Sequence, residues 1–158
     1  MFFACLAAAA AFVWWTSGSL PDVVASHFRA DGAADGFMSR APFVAAMLAV
    51  VVFVPALLHS LGRLTARIPV RFVNLPNKHH WLAPERREAT LKSLGRFGTW
   101  LGYATLVLLC AIHWLVVRAN ALQPPRLEHA PLVALVAVYL VVMFIAVVAM
   151  LGRFFRVR

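Results

Sequence analysis

Charge is scarce in this chain, and acidic charge scarcest of all. Its 158 residues carry six Asp or Glu against fifteen Lys or Arg, and charged residues make up only 13%. A soluble domain averages roughly 25% charged and about 45–50% apolar residues, whereas apolar residues reach 63% here. So few charges cannot cover a water-facing surface, so lipid must be the solvent for much of the chain. Cysteine is nearly absent as well. Cys5 and Cys110 fall at different depths of two apolar segments, so neither a disulfide nor a clustered zinc site follows. Both read as small apolar fillers. Also missing are an HExxH helix, a Gly-x-Ser-x-Gly elbow, a Cys–His pair and a phosphate-cradling glycine loop. Their absence leaves no standard hydrolase or nucleotide-binding signature.

What is present is long apolar stretches. A helix needs about 20 apolar residues to cross a bilayer, and four segments are read as spans: about 1–16, 41–61, 98–117 and 131–151. The last three contain no Asp, Glu, Lys or Arg. The first, "MFFACLAAAAAFVWW", is short and lacks the basic start of a signal peptide, and Trp14 and Trp15 suit an interfacial anchor on a retained helix. An outer loop, 17–40, and an inner loop, 62–97, separate the spans. The inner loop holds eight basic residues, from Arg63 to Arg96, and the tail adds Arg153, Arg156 and Arg158. Basic loops stay cytoplasmic. The expectation is an all-α polytopic protein of the bacterial cytoplasmic (inner) membrane: one domain, four transmembrane helices, both termini cytoplasmic. Because the positive charge lies at membrane ends, its expected partners are anionic lipid headgroups rather than nucleic acid.

Each loop has internal organisation. In the outer loop, Asp31-Gly32 and Asp35-Gly36 are turn signals, and Leu20–Phe28 is expected to form a short extended or helical piece. In the inner loop, Pro69 and Pro76 stop the helix that precedes them. Pro84 at a first helical position, with Glu85 behind it, starts the next. That helix is expected to run on into the third span, with Glu88 and Lys92 as an i, i+4 pair. Trp81 is expected at the membrane interface, where Arg86 and Arg87 meet headgroups. His59, near the inner end of the second span, is expected to reach headgroups too.

The chemistry-bearing residues are few. Imidazole and carboxylate at His27, Asp31 and Asp35 could take a divalent cation or relay protons. An EF-hand register fails, because Ala33 and Pro42 occupy ligand positions. His113 lies one turn below the outer end of the third span, where ionisable groups usually face a bundle interior. His27, Asp35 and His113 are therefore the candidate metal set, with Asp22 and Glu128 near enough in topology to join an outer cluster. The simpler expectation is a capped turn, a neutral hydrogen-bonded His113 and no cofactor.

"LPDVVASHFRADGAADGFMSR", followed by a span and then "NLPNKHHWLAPERRE", resembles a bacterial membrane domain of unassigned function. That domain is found at the N-terminus of sporulation-delaying-protein immunity (SdpI-like) proteins. The resemblance rests on Leu20, Pro21, His27, Phe28, Gly32, Asp35, Gly36 and Arg40 in the outer loop, beside Asp22. In the inner loop it rests on Asn74, Pro76, Asn77, Trp81, Leu82, Ala83, Pro84, Glu85, Arg86 and Arg87. Departures are Ala25-Ser26 before the histidine, Met38 where the family has Gly, and His79-His80. The resemblance implies a non-catalytic membrane protein for toxin immunity or envelope signalling, binding a peptide toxin or a regulatory protein. The alternative is a small ion- or metal-handling transporter, or a metal-dependent membrane enzyme, using His27, Asp35 and His113.

Overall fold

A computed structural model describes residues 1–156, so Arg158 of the basic tail lies outside the described residues. The elements in chain order are helix α1 (Phe2–Ser17), strands β1 (Val23–Phe28) and β2 (Ala34–Ser39), and helix α2 (Arg40–Leu64). Two single 3-10 turns then lead to the one-turn helix α3 (Lys78–Trp81), followed by α4 (Pro84–Asn120) and α5 (His129–Phe155). Three helices, α2, α4 and α5, are long and apolar enough to cross a membrane. The fourth, α1, has 16 residues, about 24 Å at 1.5 Å per residue, against a hydrocarbon core of roughly 30 Å. Of the four expected spans, three are long and apolar enough to cross a membrane and the first is a shorter apolar helix, an architecture compatible with a multi-pass membrane protein. All-α is corrected, because the outer loop folds as an antiparallel hairpin.

The central contact is α2 against α4, and glycine makes it close. A Cβ placed on Gly98 would sit 2.5 Å from the Gly62 Cα, and one on Gly102 would sit 3.0 Å from the Pro55 carbonyl oxygen. Small residues at such spacing let two apolar helices meet backbone to backbone, where lipid offers no hydrophobic drive to associate. α2 continues through Pro55 without a break. α4 runs unbroken from its Pro84 start through the third span, as expected. No ion pair joins Glu88 to Lys92 among the described residues.

α1 packs across this pair. Phe2, Leu6, Ala9 and Val13 recur at helical spacing and meet Val51 and Leu106 in the main core. At its start the Phe2 ring stacks on His59, 3.9 Å between centroids. Near its end Thr16 bonds His113. α1 thus runs from the inner-loop end of the bundle to the hairpin end. His59, expected at headgroups, is instead buried, between Phe2 and Gly102. α5 lies outside the other helices and keeps Phe144 and Ile145 at 70% and 60% exposure; in lipid such a face needs no protein cover.

Candidate functional site

The outer cap is built from the hairpin upward. At its turn Gly32 takes φ 86°, a left-handed conformation glycine adopts at no steric cost. The Asp31 carboxylate accepts from the Ala33 N–H at 3.0 Å. That bond, with help from the Arg29 guanidinium, holds the Asp31 carboxyl below the usual carboxylate range. Asp31-Gly32 is therefore the turn that was expected. Asp35-Gly36 is not a turn but lies within β2. The pairing slips between Ala25 and His27 and again before Phe28, and such a bulge re-aims side chains. It sets His27 opposite Gly36, where a Cβ would come within 2.7 Å of the His27 Cβ. From there His27 Nδ1 reaches Asp35 Oδ1 at 2.6 Å, on an exposed face.

The hairpin is pinned to the bundle by a residue that sequence reasoning missed. Asn120, the last residue of α4, turns its amide onto β1. The Ala25 N–H donates to Asn120 Oδ1 at 2.7 Å, and Asn120 Nδ2 donates to the Ala25 carbonyl at 3.0 Å. One side chain thus satisfies both backbone groups, as a neighbouring strand would. An amide closing an apolar span was the only available signal. The 121–128 connection clips the turn as well: the Leu127 N–H donates to the Gly32 carbonyl at 2.9 Å, and Arg126 Nη2 donates to the Asp31 carbonyl at 3.2 Å. Arg40 pairs with Asp22 at 3.1 Å and donates to the Leu20 carbonyl at 3.0 Å, closing the strand ends onto α2. Beneath the cap, Leu20, Val24, Phe43, Val44 and Val117 form a small core.

β1 is covered, whereas β2 is flanked only at its start, where Ala33, the residue before it, forms an isolated antiparallel bridge with Arg126. Among the described residues no backbone hydrogen bond leaves Asp35–Ser39 except to β1. Phe37 and Met38 stand 56% and 39% exposed along it.

His113 belongs to a different place. It is fully buried, between α1 and the hairpin core. Thr16 Oγ1 is 2.7 Å from the Phe12 carbonyl and 2.9 Å from His113 Nε2. The single hydroxyl hydrogen goes to the carbonyl, so Thr16 accepts from the Nε2–H of His113. The candidate set of His27, Asp35 and His113 is therefore not brought together, and no group of three ligating side chains is found among the described residues. Asp22 is committed to Arg40 instead.

The inner motif proves to be a clamp on the last helix. Asn77, at φ 51°, donates through Nδ2 to the Phe154 and Phe155 carbonyls at 3.1 and 3.2 Å. Trp81 Nε1 donates to the Phe154 carbonyl at 2.8 Å, and the Trp81 and Phe154 rings meet edge to face. The last carbonyls of a helix have no partner within it, and these residues supply two donors. Trp81 is thus a clamp on the end of α5. Thr90 donates to the Trp81 carbonyl at 2.8 Å, tying the clamp to α4. Val73, Leu82 and Leu91 form a minor core under it. Asn74 and Arg87 are exposed, as is Glu85 in the first turn of α4.

Comparison with known proteins gives one resemblance. No curated protein and no solved structure matches the chain. Residues 2–53 match a family model described as a domain of unknown function (DUF1648), so α1, the whole hairpin and the first half of α2 are similar to that domain, while the inner clamp lies beyond the match.

Proposed function

We propose that this chain is a non-catalytic, multi-pass protein of the bacterial inner membrane whose outer cap binds an extended peptide or protein partner, in toxin immunity or envelope signalling. In this reading the basic inner loop, Arg63 to Arg96, and both termini are cytoplasmic, with α1 as a short fourth crossing. The distribution of Lys and Arg supports it, together with the resemblance of the loop sequences to SdpI-like proteins. The observation that carries the binding reading is the uncovered edge of β2. A hairpin held by Asn120, Arg126 and Arg40 presents one unpaired strand edge with Phe37 and Met38 exposed beside it. A strand added to such an edge gains backbone hydrogen bonds, and flanking apolar side chains supply selectivity.

The test is survival of cells with and without the chain under challenge by peptides secreted from producing cells. Wild type should protect, and Phe37→Ala combined with Met38→Ala should abolish protection at equal membrane abundance. Equal survival with and without the chain would remove immunity. Failure of a photoreactive side chain at Phe37 to join any peptide in intact cells would remove outer-cap binding altogether.

The close contact of His27 with Asp35 favours a second reading, an ion- or metal-handling transporter or metal-dependent membrane enzyme. Stoichiometric zinc in purified wild type, lost in His27→Ala, would establish it. A His27→Ala variant that folds and protects as wild type does would dismiss it.

A further inference from the structure

At the inner end a cleft of about 700 Å³ opens where α3, the first turn of α4 and the end of α5 meet. Part of its lining is basic, from His80, Arg86, Arg153 and Arg156. The rest is apolar, from Trp81 and from Val148, Ala149 and Gly152 of α5. Among the described residues, no carboxylate lies within 4.0 Å of any of the three guanidinium groups, and the ion pairs of those residues are all at the hairpin end. Arg153 is braced, its Nη1 donating to Ser93 Oγ at 3.0 Å. Trp81 is braced as well, by its bond to the Phe154 carbonyl.

Three arginines lining one cleft, with no counter-charge among the described residues, repel one another, and an anion seated among them relieves that repulsion. Guanidinium groups match phosphate oxygens in geometry as well as charge, through paired N–H···O bonds. The apolar lining indicates which phosphate. Val148 continues upward into the exposed Val141, Phe144 and Ile145 face of α5, the face that meets acyl chains if α5 spans a membrane. Gly152 leaves a gap in the wall: a Cβ there would meet nothing within 4 Å.

We propose that this cleft is a binding site for an anionic phospholipid, its phosphate held by Arg86, Arg153 and Arg156 and an acyl chain laid along α5 past Gly152. The proposal rests on the membrane placement of α5 and not on the peptide-binding reading of the outer cap, so either can fail alone. Basic pockets at the ends of membrane helices commonly select such headgroups, and the cleft adds a shaped apolar seat to the charge.

The experiment uses the full chain in neutral detergent, with thermal stability and native mass spectrometry as readouts. Short-chain phosphatidylglycerol is compared with short-chain phosphatidylcholine and with inorganic phosphate. Phosphatidylglycerol should raise the unfolding temperature and stay bound, while the other two do neither. Arg86→Gln with Arg153→Gln should weaken phosphatidylglycerol binding roughly tenfold or more. Gly152→Leu keeps every charge, meets no neighbour at its Cβ and favours helix, yet it should weaken binding comparably by filling the seat. Circular dichroism confirms that both variants keep wild-type helix content. Equal binding of phosphatidylcholine would overturn the role of the arginines. Equal stabilisation by inorganic phosphate, or full binding by Gly152→Leu, would overturn the lipid.

Discussion

Asn120 sets the position of the outer cap through a single amide. Ala25 is fully buried, and its N–H and carbonyl both depend on that side chain. A buried backbone group left unpaired costs about 1–3 kcal/mol, so Asn120→Ala should destabilise the protein by about 2–4 kcal/mol. Chemical unfolding in detergent measures this, and the Ala25 amide should lose protection from hydrogen exchange first. Asp31 predicts a pH effect of definite sign. Its carboxyl is held below its ordinary value by the Ala33 N–H and by Arg29. A depressed folded value means that the contribution is present above the ordinary carboxylate range and lost as pH falls below it. The stability gap between wild type and Asp31→Ala should therefore be present at neutral pH and close on strong acidification. The His27–Asp35 pair behaves differently. Its imidazole is exposed and pairs of that kind contribute about 0–1 kcal/mol, so Asp35→Asn should leave the unfolding midpoint nearly unchanged.

At the scale of elements, the α2–α4 seam and the end of α5 make opposite demands on glycine. Gly98 sits against Gly62 with no room for a side chain, whereas Gly152 faces open space. Overpacking a close contact costs about 1–3 kcal/mol or more. Gly98→Leu should therefore lose at least about 2 kcal/mol, and Gly152→Leu should stay within about 1 kcal/mol of wild type. Denaturant titration of both variants side by side decides it. The clamp on α5 is a second element-scale device. Asn77→Ala with Trp81→Phe removes all three side-chain bonds to the Phe154 and Phe155 carbonyls. The last turn of α5 should then fray, and limited proteolysis near Phe155 should speed up, while the outer hairpin is unaffected.

For the whole molecule, both ends of the described chain and the inner loop gather at one end of the bundle, opposite the hairpin. Phe2 lies on His59, and the α5 terminus lies on Asn77 and Trp81. In the proposed orientation, a tag within Asn74–Glu88 should be silent to a membrane-impermeant reagent in intact cells and react after lysis. A cysteine replacing Phe37 should react in both conditions. The opposite pattern would invert the topology.

Composition and period were legible without coordinates, because lipid solvation and helix geometry act on local sequence. The three long apolar helices, the Pro84 start of α4 and the Asp31-Gly32 turn all come from residues adjacent along the chain. What required the folded structure is everything that joins distant residues. Asn120 completing β1 from 95 positions away, His113 paired with Thr16 rather than His27, and Asn77 and Trp81 closing the end of α5 are examples. So is the pairing of Asp35-Gly36, an expected corner, into a strand that carries a carboxylate to His27. A hydrogen bond between remote groups leaves no period in the sequence; only the packing of the elements against one another brings its two halves together.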